Sequence, residues 1–286
     1  MLDRANGTAD LDLLVEEVAE LRPLPSVAVR VLEIAESEHF SAHELAQAIA
    51  SDAALTARML RLANSAYYGF PRRISTVRDA VVLLGFRAVR SATLATCVIG
   101  AMPRGSYVDE RAFWHFSLSV GMLAEVLSRA THQHTDHAFT AGVLHNIGRL
   151  ALDQHRPETL REVVRCAREQ GIGIPEAERR MLGYTDADIG HALALHWNFP
   201  AALADAVSGS QGTLDDLGRD SLAAQVVRAR AFAHARGLSD GVDLACRAEP
   251  AREWLVPPVA SVLEQGGGLG GVVHRASAFV ERAIGV

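Results

Sequence analysis

The densest group of side chains that could do chemistry is a run of histidines. His132, His134 and His137 lie close together in the segment Thr-His-Gln-His-Thr-Asp-His. Neutral imidazoles are good ligands for Zn²⁺ and Ni²⁺, and histidine-rich tracts can bind these ions. At this spacing, however, the residues fit an exposed turn between two helices. We therefore expect no metal and no cofactor at this position.

The other candidate motifs also fail to indicate an enzyme. The chain has no Ser-His-Asp order, and no Walker or kinase signature. Its three cysteines are too far apart for a disulfide framework or a thiolate metal site. The run from Gly266 to Gly271 contains G-x-G-x-x-G, but pyrophosphate binding by that motif requires a βαβ unit around it. In helical sequence it instead predicts a hinge before a last helix at 272–284.

The spacing of the apolar residues predicts an all-α protein. Apolar residues at positions 11, 14, 15 and 18 follow the i, i+3, i+4, i+7 pattern of an amphipathic helix. Ser41 with Glu44 forms a capping box, and Asp52 is a good N-cap for the next helix. No stretch alternates as a strand does. Further helices are predicted near 76–84, 109–130, 137–154, 157–170, 175–182, 186–195 and 220–236. A break near residue 105 predicts two packed helical bundles.

The charge distribution is uneven. Residues 53–104 contain eight arginines and one aspartate, a net charge of +7, whereas the whole chain has a net charge of −6. Such a segment favours an anionic partner, although solvated helix faces would give the same composition. No apolar run reaches the roughly 18 to 20 residues that cross a bilayer, and the first twenty residues are acidic, unlike a secretory signal. We expect a cytoplasmic protein without a membrane partner.

Sequence runs in both halves of the chain resemble one known family. Leu24–Leu32, Asp52–Gly69 and Arg73–Gly85 are similar to the N-terminal half of the HD-related output domain (HDOD) family, and the run Asn64-Ser-Ala-Tyr-Tyr-Gly69 is the most specific part. The HD-like half is matched by Phe113–Leu118, Ala141–Leu150, Leu182–Gly190 and His196–Pro200.

This resemblance implies a bacterial signalling protein of two bundles, the second like a degenerate HD-domain phosphohydrolase. It predicts a tail at 1–10 and an HDOD domain at 11–211, divided into an N-terminal helical bundle (11–104) and an HD-like bundle (105–211). A C-terminal extension at 212–286 is expected to pack on the HD-like bundle.

The resemblance also implies where the metal ligands of the related hydrolases would fall. Those enzymes bind divalent metals through a histidine, a His-Asp doublet and a distal aspartate, and the metal polarises phosphate and activates water. The corresponding positions in this chain are Phe116, His145, Asn146, Asp186, Ser210, Gln211 and Arg230. Only His145 is retained, and Asp186 is the one replacement that could coordinate. We expect no metal and no catalysis.

The leading hypothesis is a non-catalytic signal-transduction output or scaffold module that binds a protein partner through an apolar or Arg-rich groove. The candidate contact residues are Asn64, Ser65, Tyr67, Tyr68, Arg58, Arg61, Arg72, Arg73, Arg87 and Arg90. An alternative interpretation of Asn64 and Ser65 is that they only cap helix ends.

Two other functions stay open at this point. The first is a receptor for a nucleotide or nucleic acid, because the arginines could pair with phosphate while Tyr67, Tyr68, Phe70 and Phe86 stack on bases. The chain carries no helix-turn-helix or RNA-binding signature in support of specific readout. The second is a residual metal-dependent phosphohydrolase.

Overall fold

The regular elements are helices throughout the described part of the chain, as the apolar period predicts. The computed structural model describes residues 10–18, 23–36, 41–65, 68–69, 73–102, 104–134, 137–218, 220–242 and 252–285. The α-helices are α1 (residues 10–18), α2 (Ser26–Glu36), α3 (Ala42–Ala50), α4 (Ala53–Ala63), α5 (Val77–Leu84), α6 (Phe86–Ala101), α7 (Glu110–Thr131), α8 (Ala138–Leu144), α9 (Ile147–His155), α10 (Pro157–Gln170), α11 (Ile174–Met181), α12 (Asp186–His196), α13 (Ala201–Gly209), α14 (Leu222–Ala235), α15 (Val259–Gln265) and α16 (Gly268–Val280). A 3₁₀ turn, Arg252–Leu255, and a π-helical segment, Glu281–Gly285, complete the set.

These helices form two compact units. The smaller unit contains the described residues of Leu24–Ala101 and of the segment that begins at Ser261. The larger unit contains the described residues up to Pro23 and those of Met102–Ala260.

The two units correct the predicted domain boundaries at both ends. Helix α1, predicted within the 11–104 bundle, belongs to the larger unit, where Asp10 accepts hydrogen bonds from Tyr184 and Arg156. The end of the chain, predicted to pack on the HD-like bundle, belongs to the smaller unit, where the π-helical segment contacts α4 and α6. The two ends of the chain therefore pack on elements that are distant from them in the sequence.

Helix caps fix the starts of α3, α4 and α5 in the smaller unit. Ser41 and Glu44 form the predicted capping box, with Ser41 Oγ accepting from the Glu44 backbone at 3.2 Å. Asp52 accepts from the Leu55 amide at 2.9 Å, and Thr76 accepts from the next helix in the same way. These bonds satisfy amides that a helix start would otherwise leave unpaired. The apolar faces of these helices then bury a common core.

The larger unit is built around α7. Helix α8 packs closely against it because both helices carry glycine at the contact: a Cβ at Gly142 would lie 2.5 Å from the Gly121 Cα. Helix α14 packs on α7 as well. The predicted helix 137–154 is divided at His145 and Asn146, which form a turn between α8 and α9. This turn matters because it carries the candidate site.

Four further helices differ from the sequence prediction, and among them α6 and α15 have no counterpart in it. Helix α13 was not predicted, and α16 begins at Gly268, so the predicted hinge at Gly266–Gly271 is shortened to a turn around Gly267, whose φ is +83°. Across the described ranges, every helix is too short or too polar to span a membrane.

Candidate functional site

The turn between α8 and α9 places His145 and Asn146 at the centre of the larger unit. Both residues are fully buried. His145 Nδ1 lies 2.6 Å from the carbonyl oxygen of Gly142. No described residue offers a hydrogen-bond partner to His145 Nε2 or to the side-chain amide of Asn146. The turn therefore presents polar atoms inside the core, as a ligand-binding position would.

The other positions implied by the resemblance converge around His145. The Phe116 ring lies 5.8 Å from the His145 ring, between centroids. Ser210 donates its hydroxyl to the His145 carbonyl at 3.3 Å, and Arg230 donates to the Ser210 carbonyl at 3.2 Å. An aromatic ring and a cation thus occupy the positions for which the resemblance implies a histidine and an aspartate in the related hydrolases.

Arg149, which the sequence reasoning missed, dominates the electrostatics of this region. It is fully buried on α9, four residues after His145. Its Nε donates to Asp186 Oδ2 at 2.9 Å, and its Nη1 donates to Asp240 Oδ2 at 2.7 Å. Nη2 lies 2.8 Å from the same oxygen of Asp186 as an ion-pair contact. The guanidinium therefore bridges two carboxylates that are nearly excluded from water.

Asp186 is further enclosed by polar neighbours. Gln211 donates its side-chain amide to Asp186 Oδ1, and the Asp186 backbone amide donates to Glu178 Oε2 at 3.0 Å. Burial and the adjacent Asp186 carboxylate raise the pKa of Glu178 well above its ordinary value. We call Arg149, Glu178, Asp186 and Asp240 the buried charge cluster.

The charges of this cluster are set by burial and by the neighbouring ions. Burial alone would lower the pKa of Arg149, but Asp186 and Asp240 raise it above its ordinary value, so the guanidinium stays charged. Burial lowers the pKa of His145 to about 3, and the Arg230 charge acts in the same direction. Burial lowers the pKa of His234 to about 4, against the opposing effect of Asp240. Both imidazoles are therefore neutral at pH 7.

The side chains around His145 do not fit a divalent metal ion. A metal needs several oxygen or nitrogen donors facing one point, with carboxylates to balance its charge. Here Asp186 is already neutralised by Arg149, and a second cation, Arg230, stands close by. A bound dication would be repelled by both guanidinium groups. Within the described ranges, no group of three or more His, Cys, Asp or Glu is arranged to hold a metal.

The histidine run at 132–137 lies in the turn after α7, as predicted. His132 ends α7 in a left-handed conformation with φ of 58°. His134 Nε2 lies 2.7 Å from the Asp220 carbonyl oxygen. A ring nitrogen held by the backbone in this way indicates a structural contact rather than a metal ligand.

With this geometry described, comparison with known proteins decides the family. A model of the HDOD domain matches residues 21–212. The chain belongs to the HDOD family. HDOD domains are related to HD phosphohydrolases.

Two solved structures and one curated relative support the comparison. An HDOD domain protein of unknown function from Geobacter sulfurreducens has a TM-score of 0.74 at 23% identity, covering 96% of this chain and 98% of that one. A protein from Shewanella amazonensis SB2B, named as a candidate phosphohydrolase, has a TM-score of 0.70 at 26% identity, with coverage of 95% and 97%. An uncharacterised protein of Treponema pallidum (strain Nichols) is 25% identical over 189 residues, 65% of this chain. The chain spans only 37% of that relative's length.

The polar residues predicted as contacts in the HDOD domain are bound internally. Asn64 donates its amide to the carbonyls of Leu60 and Ile74, each at 2.7 Å, and accepts from the Ile74 amide at 2.7 Å. Ser65 is buried and donates to the Leu62 carbonyl at 2.6 Å. Tyr68 makes a long hydrogen bond of 3.4 Å to the Ala88 carbonyl. These contacts match the capping interpretation of Asn64 and Ser65.

The predicted arginines divide between the core and the surface. Arg90 is buried with 6% of its surface exposed, so its inclusion among the contact residues is wrong. Arg58 is half-buried, beside Phe279 and Arg282 at the end of the chain. The arginines with exposed side chains are Arg61, Arg73 and Arg87. Tyr67, Phe70 and Arg72 lie outside the described residues.

Proposed function

We propose that this HDOD protein is a non-catalytic signal-transduction output module that binds a protein partner. The observation that carries the proposal is the position of Arg149, whose guanidinium bridges Asp186 and Asp240 beside the retained His145. A fixed protein cation already neutralises Asp186, the one carboxylate among the implied ligand positions that a hydrolytic metal could use.

Phosphoester hydrolysis by this route would need a metal with an open coordination position for water. Of the ligand positions that the resemblance implies, only His145 keeps its residue type, and both His145 and Asn146 are fully buried. Phe116 covers His145 with an apolar ring. A single neutral imidazole and a neutral amide bind a divalent ion weakly, so phosphoester hydrolysis would lack the metal that activates water.

The buried charge cluster has a structural use instead. Arg149 belongs to α9, Glu178 to α11 and Asp186 to α12, while Asp240 follows α14. Ionic groups that are fully paired in a low-dielectric core demand one specific geometry. The cluster therefore supports a rigid module, which suits a scaffold that presents a surface to another protein.

A protein partner is favoured over a nucleotide because the exposed surface of the smaller unit is partly apolar. Val82 and Leu83 on α5 expose 75% and 50% of their surfaces. The burial of Arg90 also removes one of the guanidinium groups that a phosphate ligand would use. Apolar surface beside scattered charge is typical of a protein interface.

Metal analysis combined with hydrolysis assays tests the absence of catalysis. Protein purified without chelator is expected to contain no stoichiometric iron, manganese or magnesium. It should also release no phosphate from monoesters, and no alcohol from diesters, when these metals are added. The Asn146→Asp variant should remain inactive because Phe116, Ser210 and Arg230 are unchanged, and Asn198→Asp on the surface is its matched control. One bound metal per chain, with turnover that His145→Ala abolishes, would overturn the proposal.

Affinity purification from the native cell tests partner binding. A protein recovered in stoichiometric amount, with binding that persists as salt is raised, supports the proposal. A nucleotide or nucleic acid recovered instead, with affinity that falls steeply with ionic strength, would favour the phosphate-binding alternative.

A further inference from the structure

The smaller unit contains an apolar groove that the HD-like site does not involve. It has a volume of about 410 Å³ and lies between α3, α4 and the start of α5. Most of its lining residues are exposed, so the groove opens to solvent. We call it the α3–α5 groove, and its lining consists of His43, Ala46, Gln47, Ala50, Thr56, Leu60, Ser75, Thr76, Val77 and Arg78.

Small side chains create the space in this groove. Ala46 and Ala50 are one turn apart on α3 and form one wall, and Leu60 and Val77 contribute the opposite apolar surface. A volume of this size falls within the range of pockets that receive buried ligand groups, roughly 300 to 1,000 Å³. The lining therefore offers room for large apolar side chains of a ligand.

Hydrogen bonds between the neighbouring elements hold the groove open. Thr56 donates its hydroxyl to the Ile49 carbonyl at 2.9 Å, which joins α4 to α3. Asn64 binds both backbone groups of Ile74 and fixes the segment before α5 against the end of α4. A preformed groove binds more tightly because little order is lost on association. Asn64 thus positions the segment before α5, in addition to capping the end of α4.

The charged groups of the lining have one sign. Arg78 is the cation of the lining, His43 is its titratable neighbour, and no lining residue is acidic. The Glu44 carboxylate is bonded in the capping box at Ser41, the Asp52 carboxylate caps α4, and Asp79 lies in the first turn of α5. Residues 53–104, which contain the α4 and α5 parts of the lining, have a net charge of +7. An occupant with a carboxylate beside its apolar face is therefore complementary.

The apolar surface continues beyond the groove along α5. Val82 follows Arg78 by four residues, so the two share a helix face about 6 Å apart along the axis. Among the described residues of the smaller unit, Val82 and Leu83 are the most exposed large apolar ones. A groove extended by one or two helical turns matches a helix better than a compact small molecule.

We propose that the α3–α5 groove receives an amphipathic helix of a partner protein, with acidic residues next to its apolar stripe facing Arg78. The proposal rests on the proposed function as a partner-binding module and adds the location and chemistry of the contact. Apolar anchors at i, i+3, i+4 and i+7 fill the groove and reach Val82. The Arg78 ion pair sets the preference for acidic partners.

Binding of synthetic helical peptides, followed by fluorescence anisotropy, tests the groove directly. The peptides share one leucine stripe and carry glutamate, glutamine or lysine beside it. The glutamate peptide is expected to bind about threefold more tightly than the glutamine peptide, the value of an exposed ion pair, and the lysine peptide least tightly. Equal affinity for the glutamate and lysine peptides, or no binding of any of them, would overturn the proposal.

Two pairs of variants locate the binding. Ala50→Trp fills the groove and should lower the affinity for the glutamate peptide by about tenfold or more. Ala202→Trp, at an exposed position on α13, should leave that affinity unchanged. Arg78→Glu should reverse the order of the peptide affinities, so that the lysine peptide binds most tightly. Arg165→Glu, on α10, should leave the order unchanged. Peptide binding that survives Ala50→Trp contradicts the groove. Self-association of the protein that Ala50→Trp abolishes would also contradict it, because a second copy would then be the occupant.

Purification of the native partner separates this proposal from the proposed function. A partner that wild-type protein retains and Ala50→Trp loses supports both. A partner retained equally by both proteins overturns the groove and leaves the binding function intact. Metal-dependent turnover would contradict the proposed function, whereas the peptide measurements would still decide whether the groove binds a helix.

Discussion

The two units of this HDOD protein use charged side chains in opposite ways. In the larger unit, Arg149, Asp186 and Asp240 are buried and bonded to each other. In the smaller unit, Arg61 and Arg78 are exposed, the latter beside an apolar groove. A charge that is paired inside the core stabilises one packing geometry but offers nothing to a ligand. A charge on the rim of an apolar surface costs little to expose and selects the partner. We therefore propose a structural role for the charged residues near His145 and place the proposed partner-binding surface in the other unit.

Removing the buried cation tests this contrast with the largest expected effect. Arg149→Met leaves Asp186 and Asp240 buried without their counterion, which should lower the free energy of unfolding by about 3 to 5 kcal/mol. Urea denaturation followed by circular dichroism measures the change. The control is Arg129→Met, whose ion pair with Glu125 is on the surface and should be worth about 0.5 kcal/mol. Similar losses in both variants would mean that burial does not distinguish the two charges.

Truncation of the core of the smaller unit should have the next largest effect. Met59 is fully buried on α4, and Leu55 and Leu62 lie on the same face. Met59→Ala is expected to cost about 2 to 5 kcal/mol of unfolding free energy because it leaves a cavity. Val82→Ala, on the exposed face of α5, should change stability by less than about 0.5 kcal/mol. A large decrease in the free energy of unfolding in Val82→Ala would show that this side chain stabilises the fold and is not available to a partner.

The neutral histidines of the larger unit predict a dependence of stability on pH. The pKa of His145 is lowered to about 3 and that of His234 to about 4. Each group therefore binds fewer protons in the folded state than in the unfolded state, where its pKa is about 6.5. Stability is complete above that value and falls as the pH drops toward the folded pKa. At pH 5 the loss is about 2 kcal/mol for each histidine.

A comparison of urea denaturation at pH 7.5 and pH 5 measures this loss. The free energy of unfolding should differ between the two pH values by about 2 kcal/mol less in His145→Gln than in the wild type. His196→Gln, on the surface, is the matched control. Glu178 acts in the opposite direction, because its pKa is raised in the folded state. Its contribution to stability is present at acid pH and is lost as the pH rises through the pKa that Glu178 has in the folded protein. An unchanged difference in His145→Gln would mean that the imidazole is protonated inside the fold.

Much of the fold could be predicted because its signals are local. The capping box at Ser41 and Glu44 and the N-cap at Asp52 depend on groups within three residues of each other, and the structure confirms them. The replacement of metal ligands at Phe116 and Arg230 is implied by the family resemblance and stays a prediction. The break at His145 and Asn146 was missed because both flanking segments have good helical periodicity.

What only the tertiary structure decided involves residues distant in the chain. Arg149 is separated by 37 residues from Asp186 and by 91 from Asp240, and no local pattern predicts either pairing. The same holds for the return of the chain end to the smaller unit and for the groove between α3 and α5. Helix starts and apolar faces follow from neighbours one turn away. The choice between a buried counterion and an exposed rim follows from which surfaces the packed helices exclude from water.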